Sequence, residues 1–229
     1  MQWNLALVAL VLALPAFAQD NEGEKLFRKV EQQVRAANSL KVVFDIDGQV
    51  GKDTVKQQGT LLVAEGNKGR LELKTTVGGK IVTEQMVADG KESAFLDAGK
   101  IVGERKPVNA GSTETALAVT IRAGVLAALQ VGPDPKNKFD VDKVLAASDF
   151  KLGAKEMVGS REAQVVTYTL KSPTGDMLQT TLWIDSKTEL PLKRTTRGKV
   201  KDVKTTAVEV YSEFALNPTL DPKIFELPK

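Results

Sequence analysis

The sequence predicts a mainly β, α+β fold in which two antiparallel meanders flank a helical insertion. Three observations support this prediction. Short segments rich in β-branched residues alternate with Gly- and Asn-containing turns, which is the pattern of hairpin-linked strands. One amphipathic helical pattern precedes the first meander, and one almost wholly apolar helical pattern follows it. A chain of 229 residues with 42% hydrophobic content is also long enough to bury a core as one domain.

The first 20 residues differ from the rest of the chain. An apolar run extends from Leu5 to Ala18 and ends in an A-x-A cleavage site before Gln19, as in secretory signal peptides. The run is shorter than the roughly 20 residues that a membrane-spanning helix needs. We therefore expect residues 1–18 to be a signal peptide and residues 19–229 to form a single domain that is periplasmic or secreted.

The composition excludes several classes of function. The chain has 32 basic and 29 acidic residues and a formal charge of +3, which is too balanced for the concentrated basic face of a nucleic-acid-binding protein. It contains no cysteine and no histidine, which excludes disulfides, thiolate chemistry, His-ligated zinc and His-based catalytic triads. We expect no nucleic-acid partner, no metal and no cofactor.

The first half of the chain predicts one helix and six strands. Apolar residues recur at helical spacing over Glu22–Asn38, with charged residues on the opposite face. Strands are predicted at Leu40–Val50, Val55–Ala64, Arg70–Val77, Lys80–Ala88, Ser93–Asp97 and Lys100–Glu104. In the first strand Phe44 and Ile46 share one face, because side chains alternate along a strand. Asp45 and Asp47 lie on the other face.

The helical insertion is predicted at Ser112–Val131. Ser112 or Thr113 can cap its N-terminus, and Gly132 followed by Pro133 ends it. Its residues are apolar on almost every side. Such a helix must be buried in a core or must cover an apolar cavity.

The second half predicts a short helical turn at Val141–Ala147 and a second meander of five strands. These strands are predicted at Phe150–Val158, Gln164–Lys171, Asp176–Asp185, Glu189–Arg197 and Lys201–Phe214. In the third of them, Thr180, Leu182 and Ile184 share one face. The proline-containing tail at Pro218–Pro228 predicts an extended strap.

Two charged patterns allow a functional interpretation. Asp45 and Asp47 form the paired carboxylates that a hydrolase would need, but alternating charge is typical of a solvated strand face, and we favour the second interpretation. A basic run crosses a hairpin whose turn we place near Gly198. This run, which consists of Lys193, Arg194, Arg197, Lys199, Lys201 and Lys204, could dock anionic lipid headgroups or an acidic partner. Because acidic residues dilute it, we favour a solvated edge.

Four short motifs are distributed along the mature chain. They are a Gly-x-Leu-x-Val strand at Gln58–Val63, an Asp-Gly-Lys turn ending Met86–Lys91, a hairpin with Leu182–Asp185 and Leu190-Pro191, and a tail ending in Phe-x-x-Pro at Leu220–Pro228. These motifs, and the order of the predicted helices and strands, resemble those of the LolA/LolB-like superfamily of periplasmic lipoprotein carriers. The resemblance implies an incomplete, strongly curved antiparallel β-barrel of about 11 strands whose concave face is covered by helices. One position departs from the family: Glu65 stands where the carrier has the arginine that holds its helical lid closed.

The resemblance implies an exported carrier without enzymatic activity. It would bind a lipid or the acyl chain of a lipoprotein in an apolar cavity under a helical lid, for transfer across the periplasm, and we expect it to be a monomer. The alternative is a periplasmic sensor or scaffold like RseB, which would bind an inner- or outer-membrane protein partner. A hydrolase using two carboxylates is the third hypothesis.

Strand alternation and the apolar helix predict which residues line the cavity. A curved sheet gathers one face of each strand on its concave side. The predicted lining residues are Phe44, Ile46, Leu62, Leu71, Leu73, Leu182 and Ile184 from the strands and Leu117, Ile121 and Leu126 from the helix.

We predict that the mature protein begins at or near Gln19, because the small residues at Ala16 and Ala18 match the specificity of signal peptidase. The intact mass of the exported protein tests this. Recovery of the protein from a membrane fraction with residues 1–18 still attached would contradict it.

Overall fold

The computed structural model describes residues 21–130, 139–172 and 175–228, without the side chains of Leu126, Leu129 and Gln130. The predicted signal peptide lies outside these residues. Four helices are described: α1 (Glu22–Arg35), α2 (Ser112–Ala123), α3 (Val125–Gln130) and α4 (Val141–Val144). The strands are β1 (Ser39–Val50), β2 (Asp53–Ala64), β3 (Lys68–Val77), β4 (Lys80–Asp89), β5 (Glu92–Asp97), β6 (Lys100–Pro107), β7 (Ala146–Val158), β8 (Arg161–Lys171), β9 (Met177–Asp185), β10 (Pro191–Val200) and β11 (Val203–Leu216).

All eleven strands form one antiparallel sheet in the order β6-β5-β4-β3-β2-β1-β11-β10-β9-β8-β7. The first strand joins the two meanders, since β1 pairs with β2 on one side and with β11 on the other, from Leu40 opposite Leu216 to Val50 opposite Thr205. The sheet is open, with β6 and β7 at its two edges. The predicted mainly β fold of about 11 strands, an incomplete barrel, is confirmed.

Helix α1 begins where Asn21 caps it, because the Asn21 side chain accepts a hydrogen bond from the Glu24 N–H. Its apolar face is completely buried through Phe27, Val30 and Val34. The Phe27 ring lies 5.1 Å from the Phe150 ring, measured between centroids. This face therefore attaches α1 to the second meander, and the helix ends at Arg35 rather than at the predicted Asn38.

The two faces of the sheet follow the alternation of the sequence. On β1, Phe44 and Ile46 are 1% and 3% exposed and belong to the main core. Asp45 and Asp47 are exposed on the opposite, convex face. Asp45 accepts a hydrogen bond from Gln58 on the neighbouring strand. The interpretation of these two carboxylates as part of a solvated strand face is confirmed.

The insertion is two helices rather than the single helix predicted at Ser112–Val131. Helix α2 ends at Ala123, and Gly124 adopts a φ of 98°, a conformation that glycine tolerates far better than residues with a side chain. A Cβ atom at this position would overlap the Glu209 carboxylate, whose carbon would lie only 2.7 Å away. Helix α3 then starts at Val125, and Val131 lies outside the described residues.

The basic hairpin turns three residues later than predicted. Lys201 and Asp202, with φ values of 48° and 65°, form the turn between β10 and β11. Gly198 instead lies within β10, paired with both Leu178 and Thr205. A Cβ atom at Gly198 would lie 2.6 Å from the Leu178 side chain, so this glycine permits close packing of strands rather than a turn.

The tail is not wholly extended, because Pro222–Phe225 forms one turn of 3-10 helix capped by Asp221. Phe225 is 2% exposed, and this turn packs on β3 and β4. The Arg70 guanidinium donates a hydrogen bond to the Ile224 carbonyl at 3.0 Å. The predicted strap therefore covers part of the sheet, but through a helical turn.

Replacing Gly59 by alanine should lower the free energy of unfolding by about 1–3 kcal/mol, the usual cost of overpacking a core. Its Cβ would overlap the Glu72 carbonyl oxygen and lie 2.8 Å from the Phe44 ring. Gly69→Ala is the matched control on the next strand, because its Cβ would meet nothing closer than 3.8 Å. Urea denaturation measures both, and equal midpoints for the two variants would contradict this packing.

Candidate functional site

Eight of the ten predicted lining residues lie together under the helices. They share one buried cluster and are at most 6% exposed: Phe44, Ile46, Leu71, Leu73, Leu117, Ile121, Leu182 and Ile184. The side chain of Leu126 lies outside what the structure describes. The six strand residues among them lie on one face of the sheet, in agreement with strand alternation, and Leu117 and Ile121 contact this face from α2. Their role as a ligand-binding lining stays a prediction.

Leu62 was predicted on the wrong face of β2. Its neighbours Leu61 and Val63 are 5% and 3% exposed and belong to the core, whereas Leu62 is only half-buried and lies opposite Arg70 of β3. Because side chains alternate with a period of two, a one-residue error in register reverses the face. The pair Leu61-Leu62 allows either register when the strand is considered alone.

An open cleft lies beside this cluster, between α2 and strands β2 to β5. Its volume is about 250 Å³. Its apolar lining includes Leu61, Val63, Met86, Ala88, Ala116 and Ala128, and polar residues such as Asn67, Ser93 and Thr113 also line it. None of the ten predicted residues and no carboxylate lies in the described lining. The paired carboxylates required by the hydrolase hypothesis therefore do not converge here.

Apolar side chains continue from this cleft across the concave face beyond the helices. Leu71, Met86, Phe95 and Val102 lie directly opposite one another on β3, β4, β5 and β6, so their side chains share one face. Exposure rises along this row, from 6% at Leu71 to 53% at Phe95 and 54% at Val102. We call these four residues the concave row.

Val82 is a further exposed apolar residue on the same face of β4. It lies opposite Thr75 and four residues before Met86, with the exposed Glu84 between them on that face. Val82 is 54% exposed, while its neighbour Ile81 on the convex face is 60% exposed. The two adjacent side chains therefore offer a comparison between the faces at nearly equal exposure.

A buried arginine of the sheet binds the end of α2. Arg194 on β10 is 1% exposed and donates hydrogen bonds to the carbonyls of Thr120 at 3.2 Å and Ile121 at 2.5 Å. Tyr168 on β8 donates to the next carbonyl, that of Arg122, at 2.8 Å. The Thr120 carbonyl also accepts a hydrogen bond from the Gly124 N–H. The later carbonyls in the last turn of a helix have no helical partner, and all of them carry partial negative charge. The sheet thus satisfies the C-terminus of α2.

Glu209 binds the start of α3 from the neighbouring strand. Its carboxylate accepts hydrogen bonds from the Val125 N–H at 3.0 Å and from the Tyr211 hydroxyl at 2.8 Å. Arg194 and Glu209 lie directly opposite each other on β10 and β11. One cation and one anion of the sheet therefore meet the two helix ends that flank Gly124.

A second buried arginine connects the helices to one another. Arg122 of α2 is fully buried and donates to Glu31 of α1 at 2.7 Å and to Asp142 of α4 at 2.6 Å. It also donates to the Leu145 carbonyl at 3.0 Å. Removing one partner of a buried ion pair is costly because the other charge stays buried. Helix α2 is thus held from both sides, by the sheet and by α1 and α4.

The electrostatics of this region favour a charged arginine between neutral tyrosines. Burial lowers the pKa of Arg194. The interactions of its guanidinium with Tyr168, Tyr211 and Glu209 raise the pKa by more, so that it lies above its ordinary value. Burial raises the pKa of Tyr168 to about 12. It also raises the pKa of Tyr211, with Glu209 adding to the effect. These hydroxyls keep their protons for donation at neutral pH.

The buried role of Arg194 was missed at the sequence level, where it was placed in a solvated basic edge. Its position opposite Leu182 of β9, a residue predicted to face inward, is the signal that could have revealed it. Glu65, at the position of the family's arginine, is exposed, and its N–H donates to the Asn38 carbonyl. The helices are therefore held by arginines at other positions.

Two features are absent from the described residues. No group of three or more acidic side chains in residues 21–130, 139–172 and 175–228 could hold a metal ion. Within the same residues, no helix is both long and apolar enough to cross a membrane.

The fold is shared with solved structures. LprF from Mycobacterium bovis superposes with a TM-score of 0.52 at 12% identity, over 88% of this chain and 97% of that chain. The Mycobacterium tuberculosis lipoprotein LppX gives 0.50 at 12% identity, over 88% and 100%. The LolA superfamily protein NE2245 from Nitrosomonas europaea gives 0.37 at 12% identity, over 89% and 97%.

The similarities to LprF and LppX concern the fold alone, and at the level of the fold they agree with the LolA-like fold predicted from the sequence motifs, which is confirmed. No protein-family model matches the sequence. No curated protein matches it significantly.

The tyrosine pKa values predict a loss of stability at alkaline pH. Tyr168 and Tyr211 are the only tyrosines in the chain, and both have raised pKa values in the folded state. An unfolded tyrosine loses its proton near pH 10. The folded state therefore retains protons that the unfolded state has lost, and the free energy of unfolding should fall as pH rises from about 10 towards 12.

Absorbance at the tyrosinate band measures this directly. Near pH 11 the urea-unfolded protein should be largely ionised, whereas the folded protein should show little tyrosinate, because its Tyr168 has a pKa of about 12. Titration of either tyrosine near pH 10 in the folded protein would contradict the buried network.

Proposed function

We propose that the protein carries the acyl chain of a lipid or of a lipid-modified protein on the concave face of its sheet, for transfer across the periplasm. The observation that supports this most is the concave row, which leads from the core into solvent. Single exposed apolar residues are common on proteins, but apolar residues that share a face and adjoin a cleft are typical of binding sites. An acyl chain has the matching chemistry, because it needs apolar contact and no hydrogen bonds.

The volume of the cleft determines how such a chain would bind. At about 250 Å³ it is below the range of about 300–1,000 Å³ that is usual for small-molecule sites. A chain would therefore occupy the cleft with one part and cover the exposed residues of the concave row with another. Covering one such side chain contributes about 1.5–3 kcal/mol when burial is complete.

Helix α3 is the element that could enlarge the cleft. Ala128 of this helix lines the cleft, and Gly124 separates it from α2. Because α2 is bound at its last turn by Arg194 and Tyr168, movement about Gly124 would displace α3 while α2 stays in place. Glu209 would then exchange its contact with the Val125 N–H for water.

Binding of a fluorescent fatty acid tests the proposed site. Val82→Asp should weaken binding at least about tenfold, because it removes a valine contact and places a charge beside the chain. Ile81→Asp is the matched control on the convex face and should bind as the parent does. Both residues are more than half exposed, so both variants should keep the parent melting temperature. Equal binding by the two variants would place the chain elsewhere.

Native mass spectrometry of the protein purified from the expressing cell addresses the alternative. A carrier should retain copurified lipid, whereas a scaffold like RseB should be free of lipid and bind a segment of a membrane protein. Protein that is free of lipid and also fails to bind the fluorescent fatty acid would contradict the proposed function.

A further inference from the structure

Five hairpins of the sheet turn at the same end. Strand β1 ends at Val50, opposite Asp53 of β2 and Thr205 of β11. Because every neighbouring pair is antiparallel, the turns β1–β2, β3–β4, β5–β6, β8–β9 and β10–β11 lie at this end, and the other turns lie at the opposite end. We call this end the tip end. The basic hairpin from the sequence analysis belongs to it.

Exposed valines flank three of these turns. Val50 beside the β1–β2 turn is 47% exposed, and Val77 beside the β3–β4 turn is 44% exposed. Val200 and Val203, which pair across the β10–β11 turn, are 39% and 43% exposed. Turns are usually polar, so aliphatic side chains at the ends of three neighbouring hairpins are unusual for a surface that contacts only water.

Cations without ion pairs surround these valines. Lys52, Lys80, Lys199, Lys201, Lys204 and Arg197 are exposed, and within the described residues none of them is in an ion pair. The carboxylates at the turns of the tip end are Asp53, Asp97, Asp176 and Asp202, fewer than these six cations. Asp176 accepts a hydrogen bond from the Lys201 N–H. The tip end is therefore positively charged overall.

Part of this charge lines a groove. Arg197, Lys199 and Lys204 line an open groove of about 840 Å³ together with Asp176 and Asp202. The groove lies between the β8–β9 and β10–β11 hairpins. Guanidinium and ammonium groups at such a site can contact phosphate oxygens from more than one side.

We propose that the tip end docks onto the surface of an anionic lipid bilayer. Aliphatic side chains surrounded by lysines match the boundary between headgroups and acyl chains, where apolar groups insert and cations meet phosphates. The four valines would insert, and the six cations would contact headgroup phosphates. The docking goes beyond the proposed function, because it requires no bound acyl chain. It would bring the open concave side close to the membrane.

Co-sedimentation with lipid vesicles tests the docking. The purified protein should bind vesicles of phosphatidylcholine and phosphatidylglycerol, bind pure phosphatidylcholine weakly, and dissociate as salt increases. The test variant combines Lys52→Gln, Lys80→Gln and Lys199→Gln, one lysine from each of three hairpins. Each lysine near an anionic surface contributes about fivefold to binding, so the partition coefficient should fall about 100-fold.

The matched control removes three exposed lysines from the opposite end. It combines Lys91→Gln, Lys106→Gln and Lys187→Gln, which changes the net charge equally, and it should bind as the parent does. A second pair separates insertion from charge: Val203→Ser at the tip should weaken binding, and Val210→Ser in the middle of β11 should not. Circular dichroism checks that every variant is folded.

Two results would overturn the docking. One is a parent protein that does not bind anionic vesicles. The other is an equal loss of binding in both lysine variants, which would mean that net charge alone is responsible. Fatty-acid binding is measured without vesicles. A protein that binds fatty acid but not vesicles would therefore contradict the docking alone, and one that binds vesicles but not fatty acid would contradict the proposed function alone.

Discussion

The arrangement of helices on this sheet depends on one buried guanidinium. Arg194 lies within a β-strand and binds two carbonyls at the end of α2, a place where a helix lacks internal partners. An unpaired charge at this depth would be very costly. The helix carbonyls therefore stabilise the buried arginine, and the arginine stabilises the end of the helix. Tyr168 and Glu209 extend the same contact to the next carbonyl and to the start of α3. The break at Gly124 is therefore built around polar groups of the sheet.

This constraint divides the concave face into two parts. Where α2 lies, eight of the predicted residues, six on strands and two on α2, form a packed cluster with side chains at most 6% exposed. Beyond α2 the same face continues through Phe95 and Val102 without a cover of comparable extent. Removing apolar surface from water is favourable in proportion to its area, and in this second part that free energy is still available to a ligand. The proposed acyl site and the proposed membrane contact use neighbouring parts of this uncovered surface.

Local sequence was sufficient for most of the elements. Periodicity located α1 and all eleven strands, because an amphipathic helix and a half-buried strand leave different spacings of apolar residues. Its errors have physical causes. Leu62 was placed on the wrong face because two adjacent leucines satisfy either register. Gly198 was read as a turn because a glycine needed for close strand packing cannot be distinguished, in one dimension, from a glycine with positive φ.

The sequence by itself determined the mainly β class, the order of the strands and the solvated state of Asp45 and Asp47, since each depends on residues close together in the chain. Only the tertiary structure decided the role of Arg194. Its partners on α2 are more than 70 residues away, and its charge resembles that of the exposed lysines around it. Likewise, the concave row joins residues of four strands. Such contacts depend on which strands become neighbours and on how the sheet curves. Neither the strand order nor the curvature can be inferred from the residues of a single strand.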